Sequence, residues 1–217
     1  MNIKLSLAKP FLAAVALIAV ALPGIDEARA ALVLTLQSGM STTTVTDNGI
    51  GDLDPAVGMI VFTGAVGGFT MNMSGGYGLG AAVAPTLLNL AGFTMSSSAG
   101  TLVLTLEEDG YVTSSPQARF ISSVGGTVGT GTVTNRSYID ASNTMGVMGA
   151  MLADHGIDAA MSFSSDIVSP FYPVSGPYGL AVQVTIEHLM SGSTQYTNQI
   201  RIPEPAALGL IARRRRG

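Results

Sequence analysis

In the segment GTLVLTLEEDG, residues 100–110, Leu102, Leu104 and Leu106 alternate with Val103, Thr105 and Glu107. A period of two puts the leucines on one face of an extended chain, so this segment is a β-strand with one buried side, closed by an Asp-Gly turn signal. The same period recurs. Phe69, Met71 and Met73 alternate with threonine, asparagine and serine, and Val182, Val184 and Ile186 share one face of 181–188. Shorter runs lie at 32–36, 42–46, 57–62, 87–95, 118–124, 129–134 and 195–202, separated by Gly, Ser, Asn and Asp. About ten short strands between turn residues predict an all-β chain, an antiparallel β-sandwich or jelly roll. Glycine supports this. Residues 31–202 hold 24 of the 27 glycines, and each interior glycine costs a helix ~1 kcal/mol relative to alanine.

One segment carries a different period. Between 144 and 155, Met148, Met151 and Leu152 follow helical spacing with Met145 three residues earlier, which predicts one short helix against the drag of Gly146 and Gly149. Its methionines read as core filler.

The two ends are unlike the middle. Lys4 and Lys9 precede an uncharged apolar run at 11–22, Pro23-Gly24 ends it, and Ala28-Arg29-Ala30 supplies a small-x-small cleavage site. Twelve apolar residues make ~18 Å of helix, short of the ~30 Å hydrocarbon core. Residues 1–30 are therefore expected to be a signal peptide cut after Ala30, with Sec as the route, since there is neither a twin arginine nor a lipoprotein cysteine. At the other end Pro203-Glu204-Pro205 is followed by AALGLIA at 206–212 and by Arg213, Arg214, Arg215 and Arg216. The expected organisation is thus 1–30 leader, 31–202 β-sandwich domain and 203–217 sorting tail.

A rigid tripeptide, an apolar stretch and an arginine stop resemble the PEP-CTERM sorting signal. That resemblance implies an exported bacterial surface protein whose tail an exosortase recognises and cuts, often beside extracellular polysaccharide; signal peptidase and exosortase are the partners it implies. One departure matters. A helix over 206–212 is only ~10 Å long, so it does not span a ~30 Å core, and membrane association is expected to be transient at most.

The body is acidic. Arg119, Arg136 and Arg201 face eleven carboxylates, a formal net charge of −8, because both lysines and most arginines sit in the ends. Such a surface repels phosphate backbones, so nucleic acid is excluded as a partner. Cysteine is absent, which removes disulfides, thiolate nucleophiles and thiolate metal sites together.

Catalytic motifs are missing: no nucleophile elbow, P-loop, paired-histidine zinc motif or complete dinucleotide fingerprint occurs. The histidines are His155 and His188. A Ser-His-Asp set built from His155 and Asp158, or from His188 and a distant serine, has no weight from sequence because serines are so common. The richest oxygen cluster is TDNGIGDLDPAVG at 46–58, where Asp47, Asn48, Asp52 and Asp54 offer calcium ligands with Gly49 and Gly51 between them. The simpler reading is a solvated loop with an Asn48-Gly49 hairpin turn, and Glu107-Glu108-Asp109 reads as a charged hairpin tip. Calcium at that loop is the only cofactor the sequence suggests.

The function expected is a non-catalytic component of a bacterial surface or biofilm matrix. A carbohydrate-binding module is the alternative, with Tyr77, Tyr111, Tyr138, Phe171, Tyr172, Tyr178 and Tyr196 as stacking surfaces, although no tryptophan is present. A glycoside hydrolase using paired carboxylates comes third.

Overall fold

The computed structural model describes residues 30–78, 87–113, 115–159 and 161–203, with the side chains of 72–75 left out. In chain order the strands are β1 Leu32–Ser38, β2 Ser41–Thr46, β3 Met59–Val66, β4 Phe69–Gly78, β5 Leu87–Ser96, β6 Gly100–Tyr111 and β7 Gln117–Ala118. They continue as β8 Ile121–Val128, β9 Thr132–Asp140, β10 Ala150–Asp158, β11 Ser162–Val168, β12 Tyr172–Pro173, β13 Tyr178–His188 and β14 Gly192–Arg201. One six-stranded sheet runs β10-β9-β13-β6-β1-β2, the other β11-β8-β14-β5-β4-β3, and β12 pairs with β7 as a small ribbon. All pairings are antiparallel, and the chain is an all-β sandwich as its periodicity predicts.

Register explains the core. Leu34 pairs with Leu106, which pairs with Val182 on its other side, and Leu36, Leu104 and Val184 form the next row. These rungs face Phe69, Met71, Leu88, Leu90 and Ile200 of the second sheet, all essentially inaccessible to solvent. Each such side chain, once buried, contributes ~1.5–3 kcal/mol. Hairpins β1–β2, β3–β4 and β9–β10 stay within a sheet, whereas β2–β3, β5–β6, β8–β9, β10–β11 and β13–β14 cross between sheets.

The helix expected over 144–155 does not form. The loop after β9 turns at Asn143, Gly146 and Gly149, all at positive φ, and β10 starts at Ala150. Irregular pairing of β10 with β9 between Met151 and Ala153, and again between Asp154 and Ile157, breaks the two-residue period. Leu152 and Ala153 are both buried in consequence, whereas Met151 is exposed and Met145 and Met148 are only half-buried, so the methionines do not fill the core.

Candidate functional site

A shallow pocket lies at an end of the first sheet, where Glu107, Glu108, Asp109 and Asp140 meet Met145 and Met148 of the loop after β9. The loop is tied down there: the Gly146 amide donates to Glu107 Oε2 at 2.9 Å, and the Gly110 amide donates to Asn143 Oδ1 at 2.7 Å. Asp140 accepts the Ser142 amide at 3.0 Å and the Thr144 amide at 2.7 Å, together with the Ser142 hydroxyl. Burial alone pushes the Asp140 carboxyl up, but these donors outweigh it and leave its pKa below the usual carboxylate value.

Glu107-Glu108-Asp109 is not a hairpin tip. The triplet lies within β6, and Glu108, only 2% exposed, continues the inward parity of Leu102, Leu104 and Leu106. Its carboxylate faces Gly78 of the opposite sheet, where a Cβ would overlap it. The Tyr111 hydroxyl donates to Glu108 Oε2, and burial first, then the Glu108 charge, pushes the Tyr111 pKa well up. Tyr111 stacks on Tyr178 at 5.8 Å between ring centres, and Phe120 meets Tyr178 edge-on at 6.1 Å.

The segment carrying Asp47, Asn48, Asp52 and Asp54 is the crossover from β2 to β3, the outer strands of the two sheets. Since β2 and β3 do not pair, Asn48-Gly49 turns the chain inside this loop and closes no hairpin. Asn48 takes φ 56°, and the Gly49 amide donates to Thr46 O at 2.7 Å. The carboxylates serve the backbone: Asp52 accepts the amides of Asn48, Asp54 and Val61 at 2.9–3.0 Å, Asp47 accepts that of Gly58, and Asp54 accepts that of Ala56. Among the described residues no three acidic or histidine side chains gather as a metal would require.

The two histidines occupy the sandwich interior and its margin. His188 Nδ1 lies 2.6 Å from Ser96 Oγ and Nε2 lies 2.9 Å from Thr194 Oγ1. The Ser96 hydroxyl donates to Ser98 O, so Nδ1 carries the proton and Nε2 accepts from Thr194. At the opposite margin Ser122 Oγ lies 2.9 Å from His155 Nε2 and 2.8 Å from Ser137 Oγ, whose hydroxyl also reaches Asn198 Oδ1 at 3.4 Å. His155 Nδ1 and Asp158 Oδ2 are buried without hydrogen bonds, so Asp158 does not orient the ring. Ser122, 2% exposed, offers no surface to a substrate. This is a packed polar cluster with the composition of a triad and not its geometry.

The seven candidate aromatic residues are dispersed over both sheets and at the β7–β12 ribbon. Tyr111, Tyr178 and Tyr196 are buried in the core. Phe171 is 58% exposed with the Arg119 guanidinium 5.0 Å from its ring centre, while Tyr77, Tyr138 and Tyr172 lie on β4, β9 and β12. Of the cleavage-site residues, Ala30 is described and Ala28 lies outside the described residues. Pro203 is buried just beyond β14, and Glu204, Pro205 and Arg213–Arg216 lie outside the described residues.

No protein-family model matches this chain, and no curated protein matches it. Among solved structures it is similar to a cleaved adhesin domain of Lys-gingipain from Porphyromonas gingivalis. The two are 8% identical with a TM-score of 0.31, over 67% of this chain and 97% of the other. So loose an overlap transfers no residue roles.

Proposed function

We propose that this chain is an exported, non-catalytic component of a bacterial cell surface or extracellular matrix, delivered by Sec and carrying a short PEP-CTERM-like tail. The observation that carries the non-catalytic part is where the reactive side chains are used. His188 and Ser122 are spent on hydrogen bonds between strands, Asp52 on backbone amides, and Glu108 on the Tyr111 hydroxyl. The burial of Tyr111, Tyr178 and Tyr196 also removes three of the seven aromatic residues that a sugar platform would use. The surface role rests on the leader, the tail and the acidic, cysteine-free body between them. Extracellular polysaccharide is the matrix partner that the tail resemblance suggests.

Fractionation and intact-mass measurement of the full chain in an exosortase-bearing bacterium test this. The expected species lies outside the cytoplasm, starts at Ala31 and keeps Arg213–Arg216, because 206–212 is too short to span. An intact Met1 chain in the cytoplasm overturns the export reading, and trimming near Glu204 overturns the account of the tail. Turnover of glycoside or ester substrates that Ser122→Ala or His155→Ala abolishes overturns the non-catalytic one.

A further inference from the structure

The expected cleavage site ends at a described contact. The Ala31 backbone N–H donates to Asp109 Oδ1 at 2.6 Å, and the Asp109 amide donates back to Ala31 O at 3.3 Å. Immediately after Ala31 the chain enters β1, with Leu32 paired to Glu108 of β6, so the nitrogen of residue 31 is fixed in place by the sheet. Before cleavage that nitrogen is a neutral amide. Hydrolysis of the Ala30–Ala31 bond consumes one water, leaves a carboxylate on Ala30 and makes the Ala31 nitrogen a primary amine, which takes up a proton at neutral pH.

We propose that removal of residues 1–30 seats the new α-ammonium of Ala31 on the Asp109 carboxylate, so that export processing itself supplies the cation for the acidic end of the first sheet. The inference rests on the signal-peptide reading for the position of the cut, and on the geometry for everything after it. The charge balance favours it. Asp109 shares its pocket with Glu107, Glu108 and Asp140, while β13 contributes no charged side chain to it and the loop after β9 presents Thr144, Val147 and methionines. Tyr111 and Tyr178 are the neighbouring titratable hydroxyls on the interior side. The arginines among the described residues are elsewhere: Arg136 pairs with Asp154, Arg119 covers Phe171, and Arg201 closes β14 in the other sheet. Replacing the amide by an ammonium adds the attraction of two opposite charges to a hydrogen bond that the carboxylate already strengthens.

The test is unusually clean because both lysines, Lys4 and Lys9, leave with the leader. In the chain from Ala31 to Gly217 the α-amine is the sole primary amine, and its reaction rate with an acylating reagent against pH gives its pKa directly. The chain is released from a fusion with Ala31 first, so the pairing is judged independently of where an exporting cell cuts; the latter is read by mass on exported protein. The expected pKa lies about one unit above the ~7.7–8.0 of a free α-amine, and Asp109→Asn returns it to that range. A raised folded-state pKa means the amine's contribution to stability is complete below pH ~8 and fades as pH rises through the raised value. Acetylating the amine in unsubstituted protein should therefore lower the urea midpoint at pH 7 and leave it unchanged at pH 10.5. This arm needs no folded variant. An ordinary amine pKa, or acetylation without effect at pH 7, overturns the proposal.

Discussion

The Tyr111 hydroxyl donates to the Glu108 carboxylate inside the sandwich, although the two residues stand three apart on one strand and would face opposite sides of a regular one. The register supplies the reason. Glu108 pairs with Leu180 and Tyr111 with Tyr178, so Asp109 and Gly110 together oppose Gly179, and the extra residue turns Tyr111 inward. Gly110 takes φ 78°, which a residue with a Cβ adopts only with strain.

Tyr111→Phe keeps the ring stacked on Tyr178 and removes the donor to a buried carboxylate. The expected loss is ~1–3 kcal/mol, read as a lower urea midpoint with an unchanged slope. Stability equal to that of the unsubstituted chain would mean that the hydroxyl contact contributes nothing. Gly78→Ala should be worse, since its Cβ would overlap the Glu108 carboxylate from the opposite sheet.

The strands with an apolar inward face were legible because every second residue said so: β1, β6 and β13 follow their leucines and valines. Glu108 was legible by the same parity and was hidden by its company, since three consecutive acids look like a solvated tip. In β11 exposure alternates, but the inner face holds Phe163, Ser165 and Ile167 while Val168 is exposed, so SFSSDIV shows no apolar alternation in its sequence. The interior near β9 and β14 was invisible for a different reason. Asn135, Ser137, Thr194 and Asn198 hold inward positions and are buried, yet composition marks such residues as surface or turn formers. Asn198 meets that burial with side-chain bonds to the carbonyls of Arg136 and Gln183, partners that only the fold brings near.

Both histidines should make the protein less stable in mild acid. Burial depresses each imidazole below its ordinary value, at His155 against the opposing pull of Asp158, Asp154 and Asp166. The unfolded chain therefore binds protons near pH ~6.5 where the folded chain does not. Their contribution is complete above that pH and is lost as pH falls toward the depressed folded values. Urea midpoints at pH 7.5 and 5.0 should differ, and His188→Gln should shrink the difference. Asp140 and Asp154 act in a separate window. Their folded pKa values are lowered, so their contribution is present above pH ~3.9 and is lost only below it.

Asp52 pins the β2–β3 crossover through three backbone amides, so Asp52→Ala should cost ~1–3 kcal/mol. The same loss is expected with EDTA and with millimolar calcium, because the acceptors involved are engaged by amides of the loop and by that of Val61 on β3. A calcium-specific rise in melting temperature that Asp52→Asn abolishes would assign the loop to the cation instead.

Gly149→Ala separates the observed strand from the helix that the methionine spacing suggests. In a helix over 144–155 the substitution would add ~1 kcal/mol of stability, because alanine is the better helix former. Here Gly149 takes φ 63°, and a Cβ on it would run into the carbonyl oxygen of Ile139 on the neighbouring strand. The left-handed conformation alone costs an alanine ~1–2 kcal/mol, and the collision must be relieved by moving backbone that pairs Ala150 with Ile139. The expected result is a lower urea midpoint and faster amide exchange in β10, while Gly146→Ala, with open space around its Cα, pays only the conformational term. A stabilised Gly149→Ala variant would mean that the segment is helical and that the pairing of β9 with β10 described here is wrong.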